Sequence, residues 1–344
     1  MGIAERVHLD WASLPFGYSK TDVSIRYTWR EGEWDNGVES REEYFPIHIA
    51  ATALHYGQAA FEGLKVFCTK DNRALGFRIE ENAKRMQHSG EMLMMEAPSV
   101  ELFRKAVHRM VKANQRFIPP YGSGASLYVR PLLFGTGPRI GVKPADEYTF
   151  MVLVTPVGPY FKSGFTPTRL IIEESFDRAA PKGVGTAKAA GNYGAGMRAT
   201  VRARRNGYGE ALYLDAKNHR TIDELGAANF FGITSDKRYV TPNSPTVLRS
   251  ITNMSLRTIA KELGYRVEER EVPVEELDSF IETGACGTAA VITPIESITF
   301  RDREIVYLKD GKPGQHCTAL YRALTDIQHG DAPDPHGWTE EIEM

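Results

Sequence analysis

The sequence predicts a two-domain protein of the α+β class, and three observations lead to this expectation. A chain of 344 residues is long enough for two domains with sizeable cores. Short strand patterns and amphipathic helix patterns both occur along the chain, without an internal repeat. The stretch 156–167 is rich in proline and glycine, which is typical of a connection between domains. We therefore expect a smaller α+β domain over 1–156, a linker over 157–167 and a larger domain over 168–344.

In the first domain, the spacing of apolar residues predicts two helices. The first covers 77–93, where one stripe at helical spacing contains Ile79, Ala83, Met86, Gly90 and Leu93. The second runs from Ser99, a good N-cap, to about Asn114. Arg85 borders the stripe of the first helix. Its guanidinium therefore points either to solvent, as helix arginines usually do, or into a cleft.

Apolar runs predict strands over 64–67, 125–134 and 148–155. Because successive strand residues alternate between faces, Tyr128 and Arg130 share one face of the second of these. A hydroxyl and a guanidinium on one face are typical of a wall that binds a carboxylate. Tyr56 and Phe61, just before the first strand, are equally well explained as aromatic residues of the core.

In the second domain, strands are expected near 169–173, 211–214 and 229–233. Helices are expected over 192–206, from about 248 to 263, and over 316–329. Glu224 lies in the connection between the second and third strands. A carboxylate there is either solvated in a turn or, if it faces inward, needs a cationic partner.

One lysine, Lys188, stands in a run of very small residues, 183–194, and Tyr193 follows it five positions later. Small neighbours allow a backbone to approach a flat ligand and keep an amine from water. A desolvated amine is a nucleophile towards carbonyl groups. The stretch therefore predicts either a Schiff-base lysine or a glycine-rich loop with a surface lysine, and the residues alone leave both open.

Two further places are candidates for binding an anion. The helix after Leu248 is capped by Ser250 or Thr252, and free N–H groups at a helix start attract anions. The small-residue stretch 283–291, with Thr288 and Ala289, predicts a turn whose amides form a second such site. Either place is also consistent with an ordinary tight turn.

Composition excludes several classes of protein. The net charge of −2 gives no basic footprint for nucleic acid or an anionic membrane. The nine histidines and three cysteines lack the spacing of metal ligands, so we expect no metal. The N-terminus lacks a secretory apolar segment, and scattered cysteines favour a cytoplasmic location.

A lysine, a tyrosine, an inward glutamate, an arginine and two anion-binding turns are the groups that pyridoxal 5'-phosphate needs. Sequence blocks in the same order carry a more specific signal. They are HYGQAAFEGLKVF (55–67), LYVRP (127–131), VGPYFKSG (157–164), GTAKAAGNYG (185–194), GTAAVITP (287–294) and DIQHGDAPDPHGWT (326–339). With these blocks the chain resembles the branched-chain amino-acid aminotransferases, which are fold-type IV pyridoxal-phosphate enzymes with the cofactor between two domains.

The resemblance implies roles for the cofactor-binding residues. Lys188 forms the internal aldimine with the cofactor and moves the proton at the substrate α-carbon. Tyr193 bonds the phenolic oxygen, and Glu224 pairs with the pyridine nitrogen. The phosphate is held by four residues, namely Arg85, Ile251, Thr252 and Thr288.

The resemblance also implies the substrate contacts and the reaction. Tyr128 and the Thr288–Ala289 turn receive the α-carboxylate, and Arg130 receives the distal carboxylate of glutamate. Phe61 and Tyr193 line an apolar pocket, and Tyr56 and Val142 reach in from the partner subunit of a homodimer. The implied activity is reversible transfer of the amino group from L-leucine, L-isoleucine or L-valine to 2-oxoglutarate in branched-chain amino-acid metabolism.

Three alternatives stay open on the sequence. A D-amino-acid aminotransferase or an aminodeoxychorismate lyase has the same fold and lysine, and a degenerate scaffold protein is a remote third. One position departs from the family pattern, since Ala190 stands where many relatives have glycine. If that residue needs a positive φ, the methyl group adds strain of about 1 kcal/mol.

Overall fold

The computed structural model describes residues 2–3, 5–158 and 165–344, which form two compact units. One unit contains Met1–Lys162, Ala187–Gly191 and Asp326–Met344, and the other contains Ser163–Thr186 and Asn192–Thr325. The units therefore differ from the expected domain bounds at the lysine segment and at the C-terminus, because both of these pair with strands of the first unit. Of the expected linker, and of the VGPYFKSG block, Pro159–Gly164 lie outside the described residues.

The strands and helices account for most of the described chain. The strands are β1 (Ser24–Arg30), β2 (Glu33–Trp34), β3 (Val38–Ser40), β4 (Ala59–Phe61), β5 (Leu64–Cys68), β6 (Ala74–Phe77), β7 (Ser126–Gly135), β8 (Glu147–Val157), β9 (Thr168–Glu173), β10 (Glu210–Leu214), β11 (Ile222–Leu225), β12 (Asn229–Thr234), β13 (Arg238–Pro242), β14 (Arg266–Arg270), β15 (Phe280–Gly287), β16 (Val291–Phe300), β17 (Arg303–Val306) and β18 (Thr339–Glu341). The α-helices are α1 (Thr52–Tyr56), α2 (Ile79–Met92), α3 (Val100–Ala113), α4 (Ala190–Arg205), α5 (Ile251–Glu262) and α6 (Gln315–His329). No helix of the described chain is long and apolar enough to cross a membrane.

The first unit is built on an antiparallel sheet in the order β18-β6-β5-β7-β8-β1-β2, with β3 beside β1 and β4 beside β7. Helices α2 and α3 contribute to its core through the apolar stripes that their sequences predict. Four of the five stripe residues of α2 are buried, and Phe103, Val107 and Met110 of α3 are fully buried. Ser99 caps α3 as expected, since its hydroxyl accepts a hydrogen bond from the Leu102 amide.

The second unit contains a sheet in the order β11-β10-β9-β16-β15-β12-β13-β14, with β17 beside β16. An additional pairing of β11 with β12 closes six of these strands into a ring. Ring closure leaves no open edge along these strands, and their apolar residues form a core that includes Leu212, Phe230 and Ile295.

Three segments are more regular than the sequence indicates. The stretch Ile222–Leu225, expected as a connection, is the fully buried strand β11. The N-terminal residues that lacked a strand pattern supply β1 to β3, and the polar tail supplies β18 opposite β6. Tertiary pairing decides each of these places, because a short polar strand has no periodicity of its own.

Candidate active site

The segment that carries Lys188 runs along the edge of β4. The amide of Phe61 donates to the Lys188 carbonyl at 3.1 Å, and the amide of Lys188 donates to the Ser89 hydroxyl at 2.9 Å. A bridge between Ala60 and Ala189 continues this pairing. The lysine side chain is half-buried, and its Nζ lies 4.6 Å from the centroid of the Phe61 ring. The small residues of the segment thus allow it to lie as an extra strand, with the amine against an aromatic ring.

The Phe61 ring also contacts Arg130, whose Cζ lies 4.8 Å from the ring centroid. As the alternation of β7 predicts, Arg130 and Tyr128 share a face, and the Arg130 Nη2 donates to the tyrosine hydroxyl at 3.1 Å. The Arg130 Nε is buried and has no hydrogen-bond partner within the described residues. An unsatisfied guanidinium N–H beside an aromatic wall fits an anionic ligand.

Two neighbours of this pair were not singled out in the sequence. Gly63 has no side chain, and a Cβ placed there would lie 2.0 Å from the Tyr128 hydroxyl. Lys65 is paired with Tyr128 across β5 and β7, and burial lowers the pKa of its amine to about 8. A lysine inside the apolar strand Leu64–Cys68 was the available signal, since lysine is rarely buried in a central strand.

Arg85 turns inward from α2, as one of the two alternatives for this residue requires. Its Nε and Nη2 donate to the two oxygens of Glu62 at 2.7 and 2.8 Å, and Asn82 donates to the same carboxylate at 2.7 Å. Glu62 is fully buried and the Arg85 side chain is 10% exposed. The fork-shaped pair therefore fixes the direction of the guanidinium, and Glu62 is a residue that the sequence analysis missed.

This ion pair makes a prediction about stability. Replacing Glu62 by alanine should lower the free energy of unfolding by about 3–5 kcal/mol, because the Arg85 charge is left buried without its carboxylate. Urea unfolding followed by circular dichroism would measure the change. The Glu80→Ala variant removes a solvent-exposed partner of Lys84 on the same helix, and we expect it to have much less effect. Equal effects of the two changes would contradict a special role for the buried pair.

Tyr56 and Val142 lie at the surface of the first unit and are brought together by the loop 137–144. The Tyr56 hydroxyl donates to the Ile140 carbonyl. The side chain of Val142 is 83% exposed, and Tyr56 is also exposed. Within the described part of one chain, these two residues do not contact the group around Phe61 through any hydrogen bond or ring contact of their own.

In the second unit, Glu224 faces inward from β11, and its cationic partner is Arg178. The Arg178 Nη2 lies 2.8 Å from the Glu224 Oε1, which also accepts a hydrogen bond from the Leu248 amide at 2.9 Å. The other oxygen accepts from the Asn229 side chain at 2.7 Å. The alternative of a solvated turn is therefore wrong. Arg178 was not singled out in the sequence, although an arginine ten residues before Lys188 was visible there.

The second unit also contains both expected anion-binding turns. Ser250 is the cap of α5, because its hydroxyl accepts a hydrogen bond from the Asn253 amide, and Ile251 and Thr252 are the first helical residues. Thr288 and Ala289 lie in the three-residue turn between β15 and β16. The turn ends at Val291, whose φ of 64° is unusual for a β-branched residue and marks local strain.

Tyr193 lies in the first turn of α4 and is half-buried. The Asn192 side chain donates to the Val184 carbonyl at 2.9 Å, which ties the start of α4 to the loop before the lysine segment. Ala190 is the first residue of this helix and does not have a positive φ. The extra methyl group therefore adds no left-handed backbone strain.

Thirteen residues were expected in the site, and they divide between the two units. The first unit contains Lys188, Arg85, Tyr56, Phe61, Tyr128, Arg130 and Val142. The second contains Tyr193, Glu224, Ile251, Thr252, Thr288 and Ala289.

Comparison with known proteins gives consistent results over nearly the whole chain. The amino-transferase class IV family matches residues 59–298. A branched-chain-amino-acid aminotransferase of Helicobacter pylori is 47% identical over 337 residues, which cover 97% of this chain and 98% of that protein. The crystal structure of the Escherichia coli branched-chain amino acid aminotransferase superposes with a TM-score of 0.79 at 27% identity, covering 94% of this chain and 100% of that one.

A third similar protein was crystallised with a ligand. This branched-chain amino acid aminotransferase, from the source abbreviated T.th., is complexed with N-(5'-phosphopyridoxyl)-L-glutamate. It has a TM-score of 0.78 at 27% identity and covers 94% of this chain and 99% of that chain. The family match spans well over half of the chain, and the full-length relatives far exceed the similarity that fold alone requires. The chain therefore belongs to the class IV aminotransferases, and within them to the family of the branched-chain amino-acid aminotransferases.

Proposed function

We propose that this protein is a pyridoxal-5'-phosphate-dependent transaminase that transfers the amino group between branched-chain L-amino acids and 2-oxoglutarate. The observation that carries the proposal is the arrangement around Phe61. One face of a small region holds the amine of Lys188 at 4.6 Å from the ring and the guanidinium of Arg130 at 4.8 Å from it. An amine, an apolar wall and a cation are what an enzyme needs if it must accept both leucine and glutamate.

The residues present fit the cofactor. Glu224 is a buried carboxylate held by three donors, which suits a partner for the pyridine nitrogen. The first amides of α5, at Ile251 and Thr252, suit a phosphate dianion, and Thr288 adds a hydroxyl and an amide. When bound, pyridoxal phosphate supplies the electron sink that makes the α-carbon of an amino acid acidic.

The remaining chemistry belongs to the protein. We assign to the Lys188 amine the attachment of the cofactor's aldehyde and the movement of the proton at the substrate α-carbon. Glu224 holds a proton at the pyridine nitrogen, and Tyr193 hydrogen-bonds the phenolic oxygen. Arg85, oriented by Glu62, adds positive charge for the phosphate.

Substrate binding follows from the same groups. Tyr128 and the Thr288–Ala289 turn receive the α-carboxylate, which both substrates share. Phe61 and Tyr193 contact the branched side chain, whereas Arg130 receives the distal carboxylate of 2-oxoglutarate. The buried Nε of Arg130, which lacks a hydrogen-bond partner among the described residues, supports this last assignment.

A half-reaction tests the function. The purified holoenzyme is mixed with L-leucine and separately with D-alanine, and the visible absorption of the bound cofactor is followed. We expect rapid loss of the band with L-leucine alone and its return on addition of 2-oxoglutarate. Loss with D-alanine alone would move the protein to the D-specific alternative. An absent band that added pyridoxal phosphate does not restore would contradict the cofactor assignment.

Gly63 offers a test of how the α-carboxylate site is packed. The Gly63→Ala change should lower kcat/KM for both substrates by about tenfold or more, because the new methyl group displaces the Tyr128 hydroxyl and overpacking costs about 1–3 kcal/mol. Steady-state kinetics with leucine and 2-oxoglutarate measure it. The control is Gly17→Ala, where the nearest heavy atom to an added Cβ lies at an ordinary 3.8 Å. An unchanged kcat/KM in the Gly63 variant would remove Tyr128 from the site.

We also propose that the protein is a homodimer in which Tyr56 and Val142 line the partner's substrate pocket. An apolar surface on the first unit supports this, since Ile49, Ile140 and Val142 are more than 70% exposed and adjoin α1. The three buried cysteine thiols support a reducing, cytoplasmic location.

The dimer makes its own prediction. Val142→Glu should shift the sedimentation coefficient towards that of a monomer and lower turnover, because a charge is placed in an apolar contact. Val38→Glu, at another exposed valine of the same unit, is the control and should change neither property. A dimer that persists with unchanged turnover in the Val142 variant would exclude this surface.

A further inference from the structure

Arg178 is a buried arginine that the assigned reaction does not use. It lies in the second unit, on the chain between β9 and α4, and its side chain is only 5% exposed. Its Nε is buried without a hydrogen-bond partner in the described part of the chain. A cation in such a place needs strong compensating contacts, so its partners indicate what it is there to hold.

Three acceptors from three different segments meet at the Arg178 Nη2. The carbonyl of Gly185 lies at 2.8 Å, the Glu224 Oε1 lies at 2.8 Å, and the carbonyl of Thr246 is the third acceptor. Gly185 precedes Lys188 by three residues, and Thr246 lies in the loop that leads to the start of α5. One guanidinium thus joins the carboxylate to the backbone on either side of it.

The packing around Gly185 indicates that this junction is closely fitted. A Cβ at Gly185 would lie 2.6 Å from the Thr246 carbonyl oxygen and 2.7 Å from the Thr246 Cα. Only a glycine lets the lysine-bearing loop and the loop before α5 approach closely enough to share the Arg178 contact. The loop before α5 also reaches Glu224 directly, through the Leu248 amide at 2.9 Å.

The neighbouring carboxylate, Asp223, does not compete for this cation. Its two oxygens accept hydrogen bonds from the hydroxyls of Ser244 and Thr246, and burial raises its pKa. Glu224 is the carboxylate that has an arginine partner at hydrogen-bonding distance. Opposite charge at this distance favours the ionised form of a carboxyl group.

We propose that Arg178 is a positioning residue, which keeps Glu224 ionised and fixes it relative to the backbone before Lys188 and the backbone before α5. The inference rests on the proposed function, since it takes Glu224 as the partner of the pyridine nitrogen. Loss of Arg178 weakens the hold of Glu224 on the proton at that nitrogen. It also loosens the two segments that present the lysine and the phosphate-binding amides.

The experiment compares the wild-type holoenzyme with Arg178→Gln, Arg178→Lys, Glu224→Gln and a surface control. The control is Arg266→Gln, which removes an exposed arginine–glutamate pair of the same unit. Each protein is loaded with pyridoxal phosphate labelled with ¹⁵N in the ring. The ¹⁵N chemical shift between pH 6 and 10, the dissociation constant for the cofactor, and kcat and KM for leucine are measured.

We expect the wild type and the control to keep the ring nitrogen protonated over this range, and Glu224→Gln to lose that signal. Arg178→Gln should move the ¹⁵N resonance towards the neutral ring. It should also bind the cofactor at least about tenfold more weakly, which is the effect of losing a charge-assisted hydrogen bond. We expect its kcat to fall more than its KM changes. Arg178→Lys should restore the protonated signal but not the full cofactor affinity.

The outcomes separate the two levels of the argument. A ¹⁵N signal unchanged in Glu224→Gln would overturn the role of Glu224 and with it the proposed site. A signal that changes in Glu224→Gln but not in either Arg178 variant would overturn this inference alone. If Arg178→Gln does not fold, the lysine variant and the wild-type titration decide. A wild-type nitrogen that loses its proton near neutral pH would then contradict the inference.

Discussion

Replacing Lys188 by alanine is expected to lower kcat by about 10⁴-fold, because the variant loses both the nucleophilic amine and the group that moves the proton at the α-carbon. No nearby residue can take over these tasks in the described structure without moving its backbone. The amide and carbonyl of Lys188 are fixed by Ser89 and Phe61, so the position itself should keep its conformation. The loss should therefore be chemical and not a consequence of unfolding.

Three measurements check this expectation. The visible absorption of the bound cofactor should shift towards that of the free aldehyde, and the leucine half-reaction should slow by the same factor as turnover. A small primary amine added to the solution should restore part of the rate, because the alanine leaves room where the side chain stood. Lys182→Ala is the control, since it removes an exposed lysine from the same stretch and should keep full activity. Retained turnover in the Lys188 variant would overturn the assignment.

The parts of the fold that the sequence predicts well are those with a strong local period. Helices α2, α3 and α6 begin and end within about two residues of the expected bounds, because their apolar stripes and the Ser99 cap specify a helix without help from the rest of the chain. The long strands β7 and β8 are confirmed for the same reason. Their runs of β-branched and aromatic residues are too long and too apolar for a loop.

The parts that the sequence does not predict depend on pairing between distant segments. Strand β11 has only four residues and contains two carboxylates, so no local pattern indicates that it is buried. Its burial requires Arg178 and Asn229 to hold Glu224, together with the hydroxyls of Ser244 and Thr246 on Asp223. The assignment of the lysine segment to the first unit likewise depends on its pairing with β4, which no pattern in 183–194 indicates.

The candidate site divides in the same way. Residues carried by sequence motifs, such as Lys188 and the Tyr128–Arg130 pair, were predicted from the sequence. The residues that hold them, namely Glu62, Gly63, Lys65 and Arg178, were not. A supporting residue acts through the geometry of its partner, and this geometry exists only after distant strands have paired.

Arg130 carries the second large expected effect, a selective loss of activity towards 2-oxoglutarate. The Arg130→Met change keeps an apolar stem against the Phe61 ring but removes the charge. Removing one partner of a buried charged hydrogen bond costs about 4 kcal/mol, or roughly 10³-fold in kcat/KM for the dicarboxylate. Leucine has no distal carboxylate, so its kcat/KM should change by less than about fivefold.

The measurement is kcat/KM from the two half-reactions taken separately, leucine with the aldehyde form and 2-oxoglutarate with the amine form. Lys65→Met is the matched control, because Lys65 is a second cation opposite Tyr128 whose amine is partly deprotonated at its pKa of about 8. We expect this variant to lose far less activity towards 2-oxoglutarate than the Arg130 variant. Arg130→Lys should recover only part of the loss, since a lysine cannot bind a carboxylate through two parallel N–H groups.

The ratio between the two substrates is what makes this test decisive. If the Arg130 variant loses the same factor with leucine as with 2-oxoglutarate, the arginine shapes the common α-carboxylate site through Tyr128 instead of binding the distal carboxylate. If the Lys65 variant shows the larger loss, the second cation is the principal receptor. A selective loss confined to Arg130 would mean that one guanidinium, packed on the same ring as the Lys188 amine, lets a single apolar pocket accept a charged substrate.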